Sequence, residues 1–442
     1  MNTIKIGLLS LLMLLSIFGA QAQQNPKTTE FEVNGLKVIL RESVKGTVSA
    51  RLFVKGGTAN YDLTQEGVES MALELVAQSG PEGMAKDDFN ARVEGVGARL
   101  SGSSGQDYGN ISLSCVKPYW ERAWGLFAES ILNPAWRADD FEVLKNQMVT
   151  AAKQRATNAD SHLRNIAFEN TWEGTDYEKN PNGTAESLDA LTLDDLKKHY
   201  NKVVVKKNTF LVVVGDITEA DLKQKIESTL AKLPEGKEMV AKKERSGVKE
   251  GLSVENRKLE TNYILGVFDA PERGTEESVQ NDLAMSILND RFFEELRTKR
   301  SLSYAPAASR TGLIAHPMNI VYISTTEPEK SLDVMVAEIN KVKTDGFTEK
   351  ELKGKKQSYL TQYYMGQESN SSISMSLGVS ELNGGWKKMD NYTREVLSTN
   401  VDELNTIMQK YGDQIYWTYL GNEEQIKPEF FIQPVKTKEV KK

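Results

Sequence analysis

The sequence predicts an α+β fold of two homologous halves, each a mostly antiparallel sheet with a helical layer. Alternating apolar and polar residues over 31–55 predict strands, and apolar residues at helical spacing over 66–80 predict an amphipathic helix. One order of elements also occurs twice. Both 191–216 and 398–423 run from a threonine through two acids and a leucine to an apolar strand that ends in glycine.

The elements of the first half follow from local patterns. Asn34-Gly35 between two alternating runs predicts a hairpin, and a further strand follows it. The helix over 66–80 has one apolar stripe, formed by Val68, Met71, Ala72, Leu75 and Val76. The remaining predictions are a helix over 86–96, strands within 98–116, helices between about 118 and 200, and a strand over 208–217.

The second half begins after a charged segment with few apolar residues. We predict an N-terminal half over 23–235, a linker over 236–262 and a C-terminal half over 263–442. The run 279–296 has helical spacing, and Asn289-Asp290 is a candidate break and cap within it. The stretch after it predicts a strand that carries Tyr304.

The first 22 residues have the layout of a cleaved secretory signal. One lysine precedes about fifteen apolar residues and an Ala-Gln-Ala triplet, and the run is shorter than the ~20 residues of a spanning helix. We therefore expect export and no membrane anchor after signal cleavage. A single cysteine, Cys115, cannot form an internal disulfide, which favours a soluble periplasmic protein over an extracellular one.

The charge excludes one class of partner. The formal net charge is −7, and it becomes −8 when the segment with Lys5 is removed. No basic patch large enough for nucleic acid or anionic lipid is present, because the lysine-rich stretches contain acids or lie at the terminus. We expect no nucleic-acid partner.

Several motifs in this order resemble the pitrilysin/insulinase-type (inverzincin) metallopeptidases over essentially the whole mature chain. They are EGVESMALELVAQSG (66–80), GARLSGSSGQD (97–107), NPAW (133–136), NGTAESLDALTLDDLKKHY (182–200), VVVGDI (212–217) and LRTKRSLSY (296–304). Each motif is weak by itself. Their order and spacing over two repeated halves are specific, and they imply the clam fold of that family.

The resemblance implies a lost zinc site. Active members carry H-x-x-E-H on the first helix, with two histidine ligands and a glutamate base. Here Ser70, Leu73 and Glu74 occupy those positions, and the window 143–159 that should supply the third ligand has no carboxylate. His162, His199 and His316 are far apart in sequence, so we predict no metal in this chain. A helical wheel places Ser70 and Glu74 on a solvated face, although Leu73, also off the apolar stripe, hints that something covers it.

The resemblance also implies a retained catalytic pair. In active relatives, R-x-x-x-G-L-x-Y supplies an arginine and a tyrosine that hold the substrate carbonyl and its developing charge, and Arg297 and Tyr304 match these positions. Ser301 replaces the usual glycine, where the backbone could require a positive φ. An ordinary surface arginine and a half-buried strand tyrosine are the alternative.

A second family feature is capture of an extended peptide at a sheet edge. Gly97, Ala98, Leu100 and Ser101 lie at the corresponding place, and we predict that they contact substrate. A plain edge strand, blunted by glycine and Arg99, is the alternative.

Together these features predict the non-zinc-binding Arg/Tyr subunit of a heterodimeric bacterial peptidase. Its partner would be a zinc-bearing H-x-x-E-H subunit of the same family, and its substrates would be peptides. The alternative is a catalytically inactive peptide-binding or scaffold protein on the same fold. The sequence does not identify the peptide, the cleavage preference, the partner or the stoichiometry.

Overall fold

The computed structural model describes residues 27–239 and 247–431. The predicted signal peptide, residues 1–22, lies outside these ranges. The described chain has two sheets with helices, which confirms the predicted α+β class. Within the described residues, no helix is long and apolar enough to cross a membrane.

The first sheet belongs to the N-terminal half and has the strand order β1-β2-β6-β3-β5-β4. Its strands are β1 (Thr28–Val33), β2 (Leu36–Glu42), β3 (Thr47–Lys55), β4 (Arg99–Ser104), β5 (Tyr108–Val116) and β6 (Thr209–Gly215). The helices of this half are α1 (Val68–Ser79), α2 (Lys86–Gly95), α3 (Trp120–Leu132), α4 (Ala138–Thr157), α5 (Ala159–Thr171), α6 (Ala185–Ala190), α7 (Leu193–Val203) and α8 (Glu219–Ser228).

The second sheet has the order β7-β11-β8-β10-β9. Its strands are β7 (Gly251–Asn256), β8 (Asn262–Asp269), β9 (Ala307–Arg310), β10 (Met318–Thr325) and β11 (Tyr416–Gly421). The helices are α9 (Glu276–Phe292), α10 (Pro328–Asp345), α11 (Glu349–Gly366), α12 (Asn370–Leu382), α13 (Tyr392–Ser398) and α14 (Val401–Tyr411), and a π-helical turn, Phe293–Thr298, continues α9.

The two halves repeat one arrangement, as the sequence predicts. The helix before each closing strand starts with a capping box, formed by Thr192 and Asp195 in α7 and by Asn400 and Glu403 in α14. The closing strands β6 and β11 then occupy matching interior positions, each parallel to one neighbour and antiparallel to the other. By this correspondence β9 matches the edge strand β4.

Three local details differ from the sequence prediction. Helix α9 runs through Asn289-Asp290 without a break, and the Asn289 side chain instead accepts a hydrogen bond from the backbone N–H of Ala308 at 3.0 Å. Tyr304 precedes β9 in irregular structure rather than lying on a strand. Strand β7 lies inside the stretch 236–262, because it pairs parallel to β11 at a sheet edge. The division into halves and linker stays a prediction.

Each half covers part of the other half's sheet with a helix. Ile373 and Leu377 of α12 pack with Phe53, Phe210 and Val212 of the first sheet. Conversely, Leu163 and Ala167 of α5 pack with Leu265 and Val267 of β8. The contact at the first sheet is close, since an added Cβ at Gly378 would lie 2.0 Å from the Phe53 ring. Apolar burial therefore joins the halves at two places.

A buried carboxylate also links the halves beside the edge strand. Asp107, in the turn between β4 and β5, accepts backbone hydrogen bonds from Ile314 and Ala315 at 2.9 Å and one from the Tyr177 hydroxyl. Burial raises the pKa of Asp107, and these hydrogen bonds act in the opposite direction. The turn that follows β4 is thus fixed to the C-terminal half.

Candidate functional site

The residues at the predicted degenerate zinc positions lie on α1, whose N-cap is Gly67 in the left-handed region at φ 85°. Leu73 is fully buried, and Ser70 is 7% exposed. The solvated face predicted from the helical wheel is therefore wrong for Ser70, because the edge strand β4 packs over this side of the helix. The packing is so close that an added Cβ at Gly102 would lie 2.0 Å from the Leu73 carbonyl oxygen.

Ser70 and Glu74 use their side chains to close the edge of the sheet. The Ser70 hydroxyl lies 3.3 Å from both the backbone nitrogen and the carbonyl oxygen of Ser104, accepting from one and donating to the other. Glu74 accepts a hydrogen bond from the backbone N–H of Gly102 at 2.9 Å. These are groups that an added peptide strand would otherwise pair with. Ser70 and Glu74 thus satisfy backbone groups of the edge strand from within the chain.

Glu69 is a buried residue of this helix that the sequence reasoning missed. Its carboxylate lies 2.7 Å from the Asn60 amide nitrogen, 2.8 Å from the Ser104 hydroxyl and 3.0 Å from Nε2 of His199. It is fully buried. The sequence did contain a signal for this residue, because a charged side chain stands directly before residues 70–74, which align with the zinc motif. The network ties α1 to both β4 and α7, and it explains His199 as a structural residue.

The positions predicted to contact substrate lie on or beside β4. Gly97 is in the turn before the strand with φ 57°, and Ala98 follows it. Leu100 pairs with Leu113 and Ser101 with Ser112 across the ladder to β5. Both residues of β4 are partly or fully exposed. Substrate contact at these four residues stays a prediction.

The three histidines lie in separate environments. His162 contacts Glu255 at 2.8 Å, His199 contacts Glu69, and His316 packs against the rings of Trp172 and Tyr177. Among the residues that the structure describes, no group of three or more histidine, cysteine, aspartate or glutamate side chains could hold a metal ion.

Arg297 and Tyr304 lie together at the surface of the C-terminal half. The Arg297 guanidinium carbon is 4.2 Å from the centre of the Tyr304 ring and 4.7 Å from that of Phe293. Tyr304 is 79% exposed, so it is not the half-buried strand tyrosine of the alternative reading. Within residues 27–239 and 247–431, neither side chain has an ion pair or a hydrogen bond, and none joins the pair to Ser70 or Glu74.

The neighbouring basic residues behave differently. Lys299 forms an ion pair with Glu295 at 2.7 Å, and Arg300 pairs with the same carboxylate. Hydrogen bonds from Lys299 and Arg300 lower the pKa of Glu295. Glu294 also lies 3.7 Å from Lys299, so both neighbouring acids pair with cations other than Arg297. Of the three cations at 297–300, Arg297 alone keeps its donors available for a ligand within the described structure.

Backbone geometry holds this pair in place. The π-helical turn brings Phe293 and Arg297 to one side, and Phe293, which the sequence reasoning missed, could have been found from its position four residues before the arginine. Ser301 has φ 52°, as the expected glycine position requires, and its N–H bonds to the Arg297 carbonyl at 3.1 Å. A non-glycine residue there stores about 1 kcal/mol of strain.

Comparisons with known proteins show which family the chain resembles. Residues 190–359 match the family described as "Peptidase M16 inactive domain". An uncharacterized zinc protease of Mycobacterium tuberculosis is 24% identical over 373 residues, which cover 82% of this chain and 85% of that protein. The non-peptidase homologue YmxG of Helicobacter pylori is 23% identical over 263 residues, or 58% of this chain and 60% of the relative.

Solved structures give the same fold. The crystal structure of a peptidase M16 inactive domain from Pseudomonas fluorescens has a TM-score of 0.81 at 20% identity and covers 91% of this chain and 99% of its own. A protease from Helicobacter pylori has the same TM-score at 18% identity, with 90% and 100% covered. The predicted family resemblance and clam fold are confirmed, and the matches support an inactive, peptidase-like chain.

Proposed function

From its kinship with the M16 peptidases, we propose that this chain is the non-zinc-binding subunit of an exported, two-chain zinc metallopeptidase. It supplies Arg297 and Tyr304 to a peptide that is bound at the zinc of an H-x-x-E-H partner. The observation that carries the proposal is the unneutralised Arg297 guanidinium, held against the rings of Phe293 and Tyr304 beside two cations that are paired.

The chemistry follows from the donors. A guanidinium is planar and stays protonated, and contact with two rings restricts the directions in which its N–H groups can point. A phenol adds one O–H donor. Donors that are fixed before the reaction favour the oxyanion over the substrate carbonyl, and each typically contributes about 10²–10³ in rate. The partner would provide the zinc-activated water and the base.

The closed edge of β4 bears on the alternative function. A scaffold that captured its peptide by strand addition at this edge would have to displace Ser70 and Glu74, which already occupy backbone groups of Ser104 and Gly102. The chain alone is therefore a poor acceptor for strand addition. This favours capture of the peptide by the partner.

The test begins with copurification of the native chain and its zinc-bearing partner, followed by reconstitution from purified subunits. The mixture should hydrolyse unfolded peptides, whereas the isolated chain should bind no zinc and hydrolyse none. Arg297→Ala or Tyr304→Phe should lower kcat by about 10²–10³ with a smaller change in KM, and the complex should still form.

Arg300→Ala is the matched control, since it removes a cation three residues away that Glu295 already neutralises. It should retain most of the activity. Equal loss in Arg297→Ala and Arg300→Ala, or failure of the Arg297 variant to form the complex, would exclude the catalytic role and favour the scaffold.

A further inference from the structure

The face of the first sheet that is turned away from α1 changes character at β3. Toward β2 and β6 it is apolar and lies under α12. Toward β4 it is polar, because Asn110 and Ser112 of β5 oppose Ser103 and Ser101 of β4, and opposed residues share a face. The two β4 serines are exposed. The β4 margin of this polar part is thus open to solvent, whereas Asn110 is buried.

Arg51 of β3 lies at the border between the two parts. It opposes Ser112 on one side and buried Val212 on the other. The residue is only 9% exposed. One terminal nitrogen, Nη1, donates a hydrogen bond to the Asn110 side-chain oxygen, while Nε is buried and has no hydrogen-bond partner among the described residues.

A buried cation normally has an anion beside it, because removing a charge from water is unfavourable unless it is paired. No carboxylate of the described residues forms an ion pair with Arg51. Burial lowers the pKa of the Arg51 guanidinium, although the group stays protonated at neutral pH. Arg51 is therefore a buried cation without a paired anion in the described structure, as expected for a residue that binds an anionic ligand.

The neighbouring groups suit a carboxylate. The Ser101 and Ser112 hydroxyl oxygens are 2.9 Å apart, so one hydroxyl donates to the other and the second keeps a free O–H. A planar guanidinium matches the two oxygens of a carboxylate, and Nη2 of Arg51 has no hydrogen bond among the described residues. The Asn110 amide already donates to Ser103 at 2.9 Å and orients the oxygen that holds Arg51.

We propose that Arg51, with the Ser101–Ser112 pair, forms a binding site for a carboxylate of a peptide, either an acidic side chain or a C-terminus. The site lies in the N-terminal half, on a face different from the one that carries Ser70 and Glu74. It does not depend on zinc, on the partner or on Arg297, so it can be tested on the isolated chain.

The test is calorimetric titration of the full chain with two pairs of short, N-acetylated alanine-rich peptides. One pair compares a free C-terminus with a C-terminal amide, and the other compares an internal glutamate with glutamine in amidated peptides. At least one acidic peptide should bind ten-fold or more tightly than its neutral counterpart, and the pair that responds identifies the source of the carboxylate.

Arg51→Gln should abolish this preference. Arg51→Lys keeps the charge but loses the planar pair of N–H donors, so it should reduce the preference at least three-fold. Arg92→Gln, on the exposed surface of α2, is the control for loss of one positive charge and should leave the preference unchanged. Absence of any preference in the native chain would overturn the proposal. So would a preference that survives Arg51→Gln, or one that Arg92→Gln removes equally.

Discussion

The helix α1 and the segment with Arg297 and Tyr304 differ in how their side chains are used. On α1, the residues at the predicted degenerate zinc positions are buried or hydrogen-bonded to β4, and they contribute to packing. At 297–304, the arginine has no ionic partner in the described structure, the tyrosine is exposed, and Ser301 keeps a left-handed backbone. These features fit the catalytic role proposed above, and packing alone does not require them.

The largest expected effect concerns the buried position Leu73 on α1. Leu73→Glu, which restores the family's acid, places a carboxylate at a fully buried position against Gly109. We expect unfolding free energy to fall by about 3 kcal/mol or more, measured by urea denaturation. Arg297→Ala should change it by about 1 kcal/mol or less. Similar losses at the two sites would contradict the comparison.

The contact between α1 and β4 gives the next effect. Gly102→Ala inserts a methyl group against the backbone of Leu73, and we expect a loss of about 2 kcal/mol in the same measurement. Gly125→Ala on the exposed side of α3 is the control, because an added Cβ there meets nothing within 4 Å. It should stabilise the chain by about 0.5–1 kcal/mol. A tolerated alanine at 102 would mean that the edge is not tightly closed.

On the Arg/Tyr side, Glu351 anchors the end of α9 just before the π-helical turn. Arg291 donates two hydrogen bonds to this carboxylate, at 2.8 and 3.0 Å. Burial alone would raise the pKa of Glu351, but these bonds and those from Thr348 outweigh it and lower the pKa to about 2. The ionised carboxylate therefore stabilises the folded state above its unfolded pKa of about 4.3.

Glu351→Gln should consequently lower stability by about 1–2 kcal/mol at pH 7, after allowance for solvent screening. The difference from the native chain should shrink as the pH falls from about 4.3 toward 2, where the native carboxylate becomes protonated. Urea denaturation at several pH values measures it. A difference that is independent of pH in this window would assign the effect to packing instead.

The smallest effect concerns strain. Ser301→Gly restores the residue of active relatives at a position with φ 52°, and it should stabilise the chain by about 0.5–1 kcal/mol. Thermal unfolding measures the change. Ser303→Gly, in the same segment, serves as the comparison and should not stabilise. If Ser301→Gly is destabilising, the left-handed backbone is not a source of strain.

Local patterns predicted the fold well, because most elements here carry their own signal. The Asn34-Gly35 hairpin and the repeated helix and strand are confirmed. The sequence could not reveal what covers α1, since β4 contacts that helix through tertiary packing that a helical wheel does not contain. Leu73 off the apolar stripe was the only hint. The left-handed backbone at Ser301, in contrast, was expected from the family motif and is present.

The mutual covering of the two sheets by α5 and α12 has a consequence for motion. A hinge opening between the halves would have to withdraw Leu377 from the first sheet and Leu163 from the second at the same time. Both movements would expose apolar surface to water. The halves should therefore move as one rigid body on the time scale of ligand exchange. In the proposed two-chain peptidase, access to the Arg297 surface would then be controlled by docking and release of the partner subunit. Opening of this chain between its halves would not control it.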